Sequence, residues 1–162
     1  MIEKKTGAML SLCMEIPALL GNQNEDVCAQ LRKVGHDIGK GFQIQDDILE
    51  IFSDADEMGK SLGSDVIAQK QTALTLMARK MAQEQWSEFC QRSEGQPINE
   101  KLTGMRTFFK DTGVYAETTA MAEEYFNNAV GNLVVIPDQG REELVAFSNF
   151  IKNRNYWYEQ NI

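Results

Sequence analysis

The sequence contains few residues that interrupt or cross-link a chain. Among 162 residues there are three prolines, three cysteines and a single histidine. The cysteines, Cys13, Cys28 and Cys90, are odd in number, widely spaced and without a C-x-x-C pair, so they indicate neither a disulfide framework nor a zinc site. We interpret them as reduced thiols of a cytoplasmic protein.

Long apolar runs and an excess of basic residues are also missing. No run approaches the roughly 20 residues that span a bilayer. The apolar stretch from Gly7 to Leu20 follows Lys4 and Lys5, as in a signal peptide, but Glu15 interrupts it and no small-residue cleavage pattern follows. Acidic residues outnumber basic ones by 24 to 16, for a net charge of −8. This balance argues against nucleic-acid binding, which needs clustered Lys and Arg.

What the sequence does contain is apolar residues at three- and four-residue spacing, with no alternating pattern. This periodicity predicts an all-α fold and one helical domain over residues 1–162. We expect helices over residues 2–20, 25–52, 71–92, 98–111, 114–135 and 141–155. Residues 53–70 are predicted to form a loop. A loop of that length in a compact domain is often functional.

The second predicted helix carries a polar stripe within an apolar surround. Gln43, Asp47 and Glu50 fall at i, i+4 and i+7, and Asp46 lies beside them. Carboxylates one turn apart destabilise a helix, and burial makes them far more costly unless a cation is present. Oxygen ligands of this kind suit Mg²⁺, which shares its remaining positions with water and phosphate. The alternative is a solvated face paired with Lys or Arg.

The same helix and the regions on either side of it contain an ordered set of motifs. These motifs are Lys5-Thr6, Phe42-Gln43-x-x-Asp46-Asp47-x-x-Glu50, the G-K-x-x-G-x-D loop from Gly59 to Asp65, and Lys70. Together, in this order and spacing, they resemble the trans-isoprenyl diphosphate synthases, or polyprenyl synthetases. The resemblance covers nearly the whole chain but corresponds to the C-terminal half of that family, which implies the matching half of an isoprenoid-synthase-type helical bundle.

The resemblance implies a role for each matched residue. Asp46, Asp47 and Glu50 would bind the Mg²⁺ that bridges to an allylic diphosphate, although the family commonly has Asp at the last position. Lys5, Thr6 and Gln43 would hold the diphosphate and flank the allylic cation, and are the candidate catalytic residues. Phe42 would lie beside isopentenyl diphosphate. Lys60 and Lys70 would supply positive charge to the leaving diphosphate.

One family element is missing from these 162 residues. Asp46-Asp47 is the only Asp-Asp pair, whereas the family uses two aspartate-rich motifs. We therefore expect a portion of a Mg²⁺-dependent prenyltransferase that is inactive as an isolated chain. The alternative is a noncatalytic helical partner or diphosphate-binding subunit. A half-fold would also expose apolar surface, so we expect a homo-oligomer in which another copy covers the region around Phe42, Ile48 and Phe52.

Overall fold

The computed structural model describes residues 6–52 and 71–153. Over these residues the chain forms α-helices and one 3₁₀ turn, and no strand. The helices are α1 (Thr6–Leu20), α2 (Glu25–Phe52), α3 (Ala73–Met81), α4 (Gln83–Arg92), α5 (Ile98–Asp111), α6 (Val114–Asn132) and α7 (Asp138–Lys152), with the 3₁₀ turn Leu133–Val135 after α6. The all-α prediction is confirmed.

The predicted boundaries of α2 and α5 are confirmed, and two others need correction. The helix predicted over residues 71–92 is two helices, because Ala82 leaves the helical conformation with φ −144° and ψ 51°. No Gly or Pro marks this break in the sequence. The last helix begins at Asp138, directly after the extended Pro137, rather than at Arg141. The predicted loop over residues 53–70 lies outside the described residues.

The described chain divides into two compact units, and the prediction of a single domain stays a prediction. The first unit combines residues up to 43 with those from 121 onward. It therefore contains α1, most of α2, the larger C-terminal part of α6, the 3₁₀ turn and α7. Its buried core consists of Ala18, Cys28, Leu31, Val34, Ile38, Phe126, Ala129 and Leu133.

An ion pair also joins α1 to α2 within this unit. The Arg32 guanidinium donates two hydrogen bonds to the buried Glu15 carboxylate, one from Nε at 2.7 Å. These hydrogen bonds, aided by the positive charge, hold the pKa of Glu15 below its usual range against the opposing effect of burial. Charged groups are thus tolerated in this apolar interface because they are paired.

The second unit spans residues 44–120 and has an aromatic core. The Trp86 ring lies 5.3 Å from that of Phe108 and 5.4 Å from that of Phe109, centroid to centroid. At the end of α2, Arg106 Nε donates a hydrogen bond of 2.6 Å to the Ile51 carbonyl oxygen. A cationic donor at the C-terminal end of a helix is stabilising, because it hydrogen-bonds to one of the last carbonyl groups and interacts favourably with the helix dipole.

The largest run of exposed apolar side chains lies on α1. Met9, Leu12, Ile16 and Leu19 are each about half exposed or more, and their spacing places them on one helix face. The sequence interpretation expected such exposure around Phe42, Ile48 and Phe52 on α2. Ile48 is instead buried within the chain. Among the described helices, none is long and apolar enough to cross a membrane.

A buried acid on α2 was not foreseen from the sequence. Asp37 is only 6% exposed, and its Oδ2 has no hydrogen-bond partner within the described part of the chain. Burial raises the pKa of Asp37, and the charges of Lys33, His36 and Lys40 on the same helix oppose this only in part. The Asp37 carboxyl therefore binds a proton more readily in the native state than in the unfolded chain.

We predict that Asp37→Asn stabilises the protein at neutral pH. A carboxyl with a raised native pKa contributes its full stability below the unfolded value of about 3.9 and loses it as pH rises through the native value. Asn is uncharged at every pH in this range, so the variant does not lose stability in this way as pH rises. Urea unfolding at several pH values from 4 to 7 should show the variant's advantage growing with pH. Exposed Asp111→Asn is the control, and an advantage that shrinks with pH would contradict the prediction.

Candidate functional site

In the structure, the acidic residues of the predicted stripe do not all lie on the same face of α2. Gln43, Asp46 and Glu50 are half-buried and fall at i, i+3 and i+7, which places them on one helix face. Phe42 is half-buried beside Gln43. Asp47 is only 8% exposed. The two adjacent aspartates therefore occupy different environments.

Asp47 has a structural partner. Its Oδ2 accepts a hydrogen bond of 2.8 Å from the backbone N–H of Ala73, the first residue of α3. The preceding Thr72 and the following Thr75 form a reciprocal capping box at the same helix start. Because the first N–H groups of a helix lack intrahelical partners and carry its positive dipole end, a carboxylate there is stabilising. Asp47 thus anchors α3 to α2.

This contact could not be read from the sequence. Asp47 and Ala73 are 26 residues apart, and no local pattern links them. The prediction that Asp47 is a metal ligand stays a prediction. Its contact with Ala73 adds a second role, which is to fix the start of α3 against α2.

The fit of a metal ion depends on Asp46 and Glu50. Among the described residues, no group of three or more His, Cys, Asp or Glu side chains is arranged to hold a metal ion. Asp46 and Glu50 lie one turn apart on the half-buried face and bring two carboxylates together. Mg²⁺ commonly binds one or two carboxylates and completes its shell with water and substrate phosphates. Among the described residues, Asp46 and Glu50 fit an ion that takes the rest of its shell from water and phosphate oxygens.

The start of α1 contributes the second part of the candidate site. Thr6, the first residue of α1, is half-buried and begins the helix next to α2 at Gly39. Gln43 lies one helical turn beyond Gly39. The structure therefore brings Thr6 close to the turn that precedes Gln43. Lys5, Lys60 and Lys70, the other predicted substrate-binding residues, lie outside the described residues.

Two glycines of α2 are a sequence signal of close packing. Gly35 and Gly39 lie in the helix interior, where each costs about 0.5–1 kcal/mol relative to Ala. The structure supplies the reason, because both face the backbone of α1 at distances that exclude a side chain.

Sequence comparisons identify relatives over nearly the whole chain. The family model described as polyprenyl synthetase matches residues 1–103. The geranylfarnesyl diphosphate synthase of Natronomonas pharaonis is 30% identical over 96% of this chain and 45% of its own length. The geranylgeranyl pyrophosphate synthase of Geoglobus acetivorans is 32% identical over 96% of this chain and 48% of its own length. The chain thus spans about half the length of these curated relatives.

Solved structures agree with the sequence comparison. The geranylgeranyl pyrophosphate synthetase of Pyrococcus horikoshii superposes with a TM-score of 0.83 at 26% identity, over 95% of this chain and 47% of that one. A decaprenyl diphosphate synthase from Rhodobacter capsulatus gives 0.81 at 27% identity, over 94% and 48%. The family model covers more than half of the chain, and the relatives share its helical fold. This chain therefore belongs to the polyprenyl synthetase family.

Proposed function

We propose that this chain is a portion of a Mg²⁺-dependent prenyltransferase that condenses isopentenyl diphosphate with an allylic diphosphate. The observation that carries the proposal is the face of α2 on which Gln43, Asp46 and Glu50 lie together, half-buried. Two carboxylates on one half-buried helix face suit a metal ion, because Mg²⁺ binds one or two carboxylates and shares its remaining positions with the phosphates of an anionic substrate.

In this proposal Asp46 and Glu50 hold the metal ion, and Asp47 fixes α3 beside them while contributing its charge. Mg²⁺, when bound, would stabilise the negative charge that develops on the departing diphosphate. Thr6 and Gln43 hold the diphosphate and present oxygen dipoles to the allylic cation. Phe42 borders the isopentenyl group. Lys5, Lys60 and Lys70 would add the positive charge that a chain of net charge −8 needs locally.

The names of the relatives support this substrate class, since they are diphosphate synthases that make geranylfarnesyl and geranylgeranyl chains. Three scattered cysteines fit a reducing, cytoplasmic location. The alternative is a noncatalytic helical partner or diphosphate-binding subunit. Both proposals require diphosphate binding, so binding and turnover need separate tests.

The binding test is calorimetric titration of pyrophosphate into the 162-residue chain, with Mg²⁺ or with a chelator. We predict that pyrophosphate gives heat of binding when Mg²⁺ is present and none when the chelator is present. The affinity for pyrophosphate should fall by about tenfold or more in Asp46→Ala, which removes a charged ligand. Urea unfolding of Asp46→Ala is measured alongside, so that the binding loss is compared only under conditions where the variant is folded. Asp47→Ala should lower the free energy of unfolding by about 1–3 kcal/mol, since it leaves the buried Ala73 N–H without its acceptor.

Exposed Asp111→Ala is the matched control and should bind as the unmodified chain does. Equal pyrophosphate binding in Mg²⁺ and in chelator would reject the metal site. Unchanged binding by Asp46→Ala would reject the assignment of that residue.

For turnover, we predict that the isolated chain does not condense the two substrates at an enzymatic rate. Catalysis requires both substrates and the metal ions in near-attack geometry, and one aspartate-rich face supplies one wall of such a site. A condensation assay with radiolabelled isopentenyl diphosphate, on the purified chain alone, measures this. Robust turnover would show that the missing motif is replaced by residues not recognised in this sequence.

We also predict that the purified chain self-associates through the exposed face of α1. A contiguous apolar face on a helix favours a partner or aggregation, and a second copy is the apolar surface available in a purified sample. Light scattering at micromolar concentration should give a dimer or larger species, and Leu12→Glu should lower the mass. Leu76→Glu, at a comparably exposed leucine of α3, is the control. A monomer in the unmodified chain would contradict the prediction.

A further inference from the structure

The contact between α1 and α2 is made by backbone rather than by side chains. A Cβ built on Gly35 would lie 2.3 Å from the Leu10 carbonyl oxygen, and one on Gly39 would lie 2.6 Å from the Gly7 Cα. Contacts between a real Cβ atom and a heavy atom of another, non-neighbouring residue are essentially never shorter than 3.0 Å. Any side chain at either glycine must therefore push the backbone of α1 away from α2.

The contact at Gly39 lies next to the candidate site. A Cβ on Gly39 would also lie 3.0 Å from the Gly7 nitrogen and 3.3 Å from the Thr6 carbonyl carbon. Gly7 is itself buried and has no side chain, and its carbonyl oxygen accepts a hydrogen bond of 2.8 Å from Ser11 Oγ. The first turn of α1 is thus seated against α2 one turn before Gln43.

We propose that the Gly7–Gly39 contact is a positioning element for the substrate site. It sets the separation between Thr6 at the start of α1 and Gln43 on α2, so that both can act on one diphosphate. Gly39 touches no substrate; it acts through the placement of Thr6. This inference rests on the proposed function of the site, and names the packing that makes the site's geometry possible.

The expected displacement is large enough to matter. To relieve a Cβ at Gly39, the distance to the Gly7 Cα must grow from 2.6 Å to the ordinary contact range that begins at 3.4 Å, a shift of about 0.8 Å. Binding and catalytic groups must be held within about 0.5 Å of their productive positions, and a misplacement of about 1 Å can cost about a hundredfold. A shift of the first turn of α1 should therefore weaken diphosphate binding.

Gly35 provides a matched control on the same helix. It makes an even closer backbone contact with α1, but with Leu10 and Ser11, one turn farther from Gln43. If the glycines serve packing alone, Gly35→Ala should impair both stability and binding at least as much as Gly39→Ala. If Gly39 positions the site, Gly35→Ala should lose at least as much stability but less binding.

The experiment measures urea unfolding and Mg²⁺-dependent pyrophosphate binding for the unmodified 162-residue chain, Gly35→Ala and Gly39→Ala, under conditions where each is folded by circular dichroism. We expect both variants to be less stable. Gly39→Ala should bind pyrophosphate about tenfold or more weakly, and Gly35→Ala within about threefold of the unmodified chain. If Gly39→Ala does not fold, Gly7→Ala, on the other side of the same contact, is measured in its place and is expected to show the same loss.

The outcomes separate the two proposals. Binding by the unmodified chain together with equal losses in the two variants, or with no loss in Gly39→Ala, would overturn the positioning role and leave the proposed function intact. Absence of Mg²⁺-dependent binding in the unmodified chain would overturn the proposed function itself, and the positioning role with it.

Discussion

The close approach of α1 to α2 is the constraint on which the first unit depends. Two glycines one turn apart let the helix backbones touch, and no side-chain rearrangement can imitate that contact. Their cost in helix propensity is about 0.5–1 kcal/mol each, and the packing must offset it. The Glu15–Arg32 ion pair joins the same two helices farther from the site. A third glycine, Gly41, similarly makes room for the Phe126 ring.

The Asp46-Asp47 pair shows how one motif can serve both packing and chemistry. Neighbouring residues on a helix point about 100° apart, so the two carboxylates have different surroundings. Asp46 stays on the half-buried face with Glu50, whereas Asp47 turns inward to the start of α3. The anchor at Ala73 ties the start of α3 to the helix that carries the acids. Loss of Asp47 in a variant would therefore affect both stability and binding, and Asp46 is the more direct reporter of ligand contact.

Local signals in the sequence were enough to predict most of the helices. Glu25 and Asp26 mark the start of α2, where acids favour the helix dipole, and its end at Phe52 follows from the loss of periodicity. The break at Ala82 has no such signal, because neither Gly nor Pro is present and the residue itself is buried. The inward turn of Asp47, the burial of Asp37 and the seating of α1 on Gly39 all depend on partners distant in sequence. The sequence marks Asp47 as a member of an acidic stripe, but it does not show what any of these residues contacts.

The electrostatics of the site explain why a half-length match to the family does not by itself imply activity. Asp46 and Glu50 can supply two oxygen ligands to an ion that prefers six, so water and phosphate must complete the shell. In the proposed function, such an ion would hold a diphosphate against a protein of net charge −8. It would not also fix the orientation of a second substrate, which requires groups facing it from another direction. The proposed alignment of two carbon chains would therefore depend on groups other than those on this face of α2.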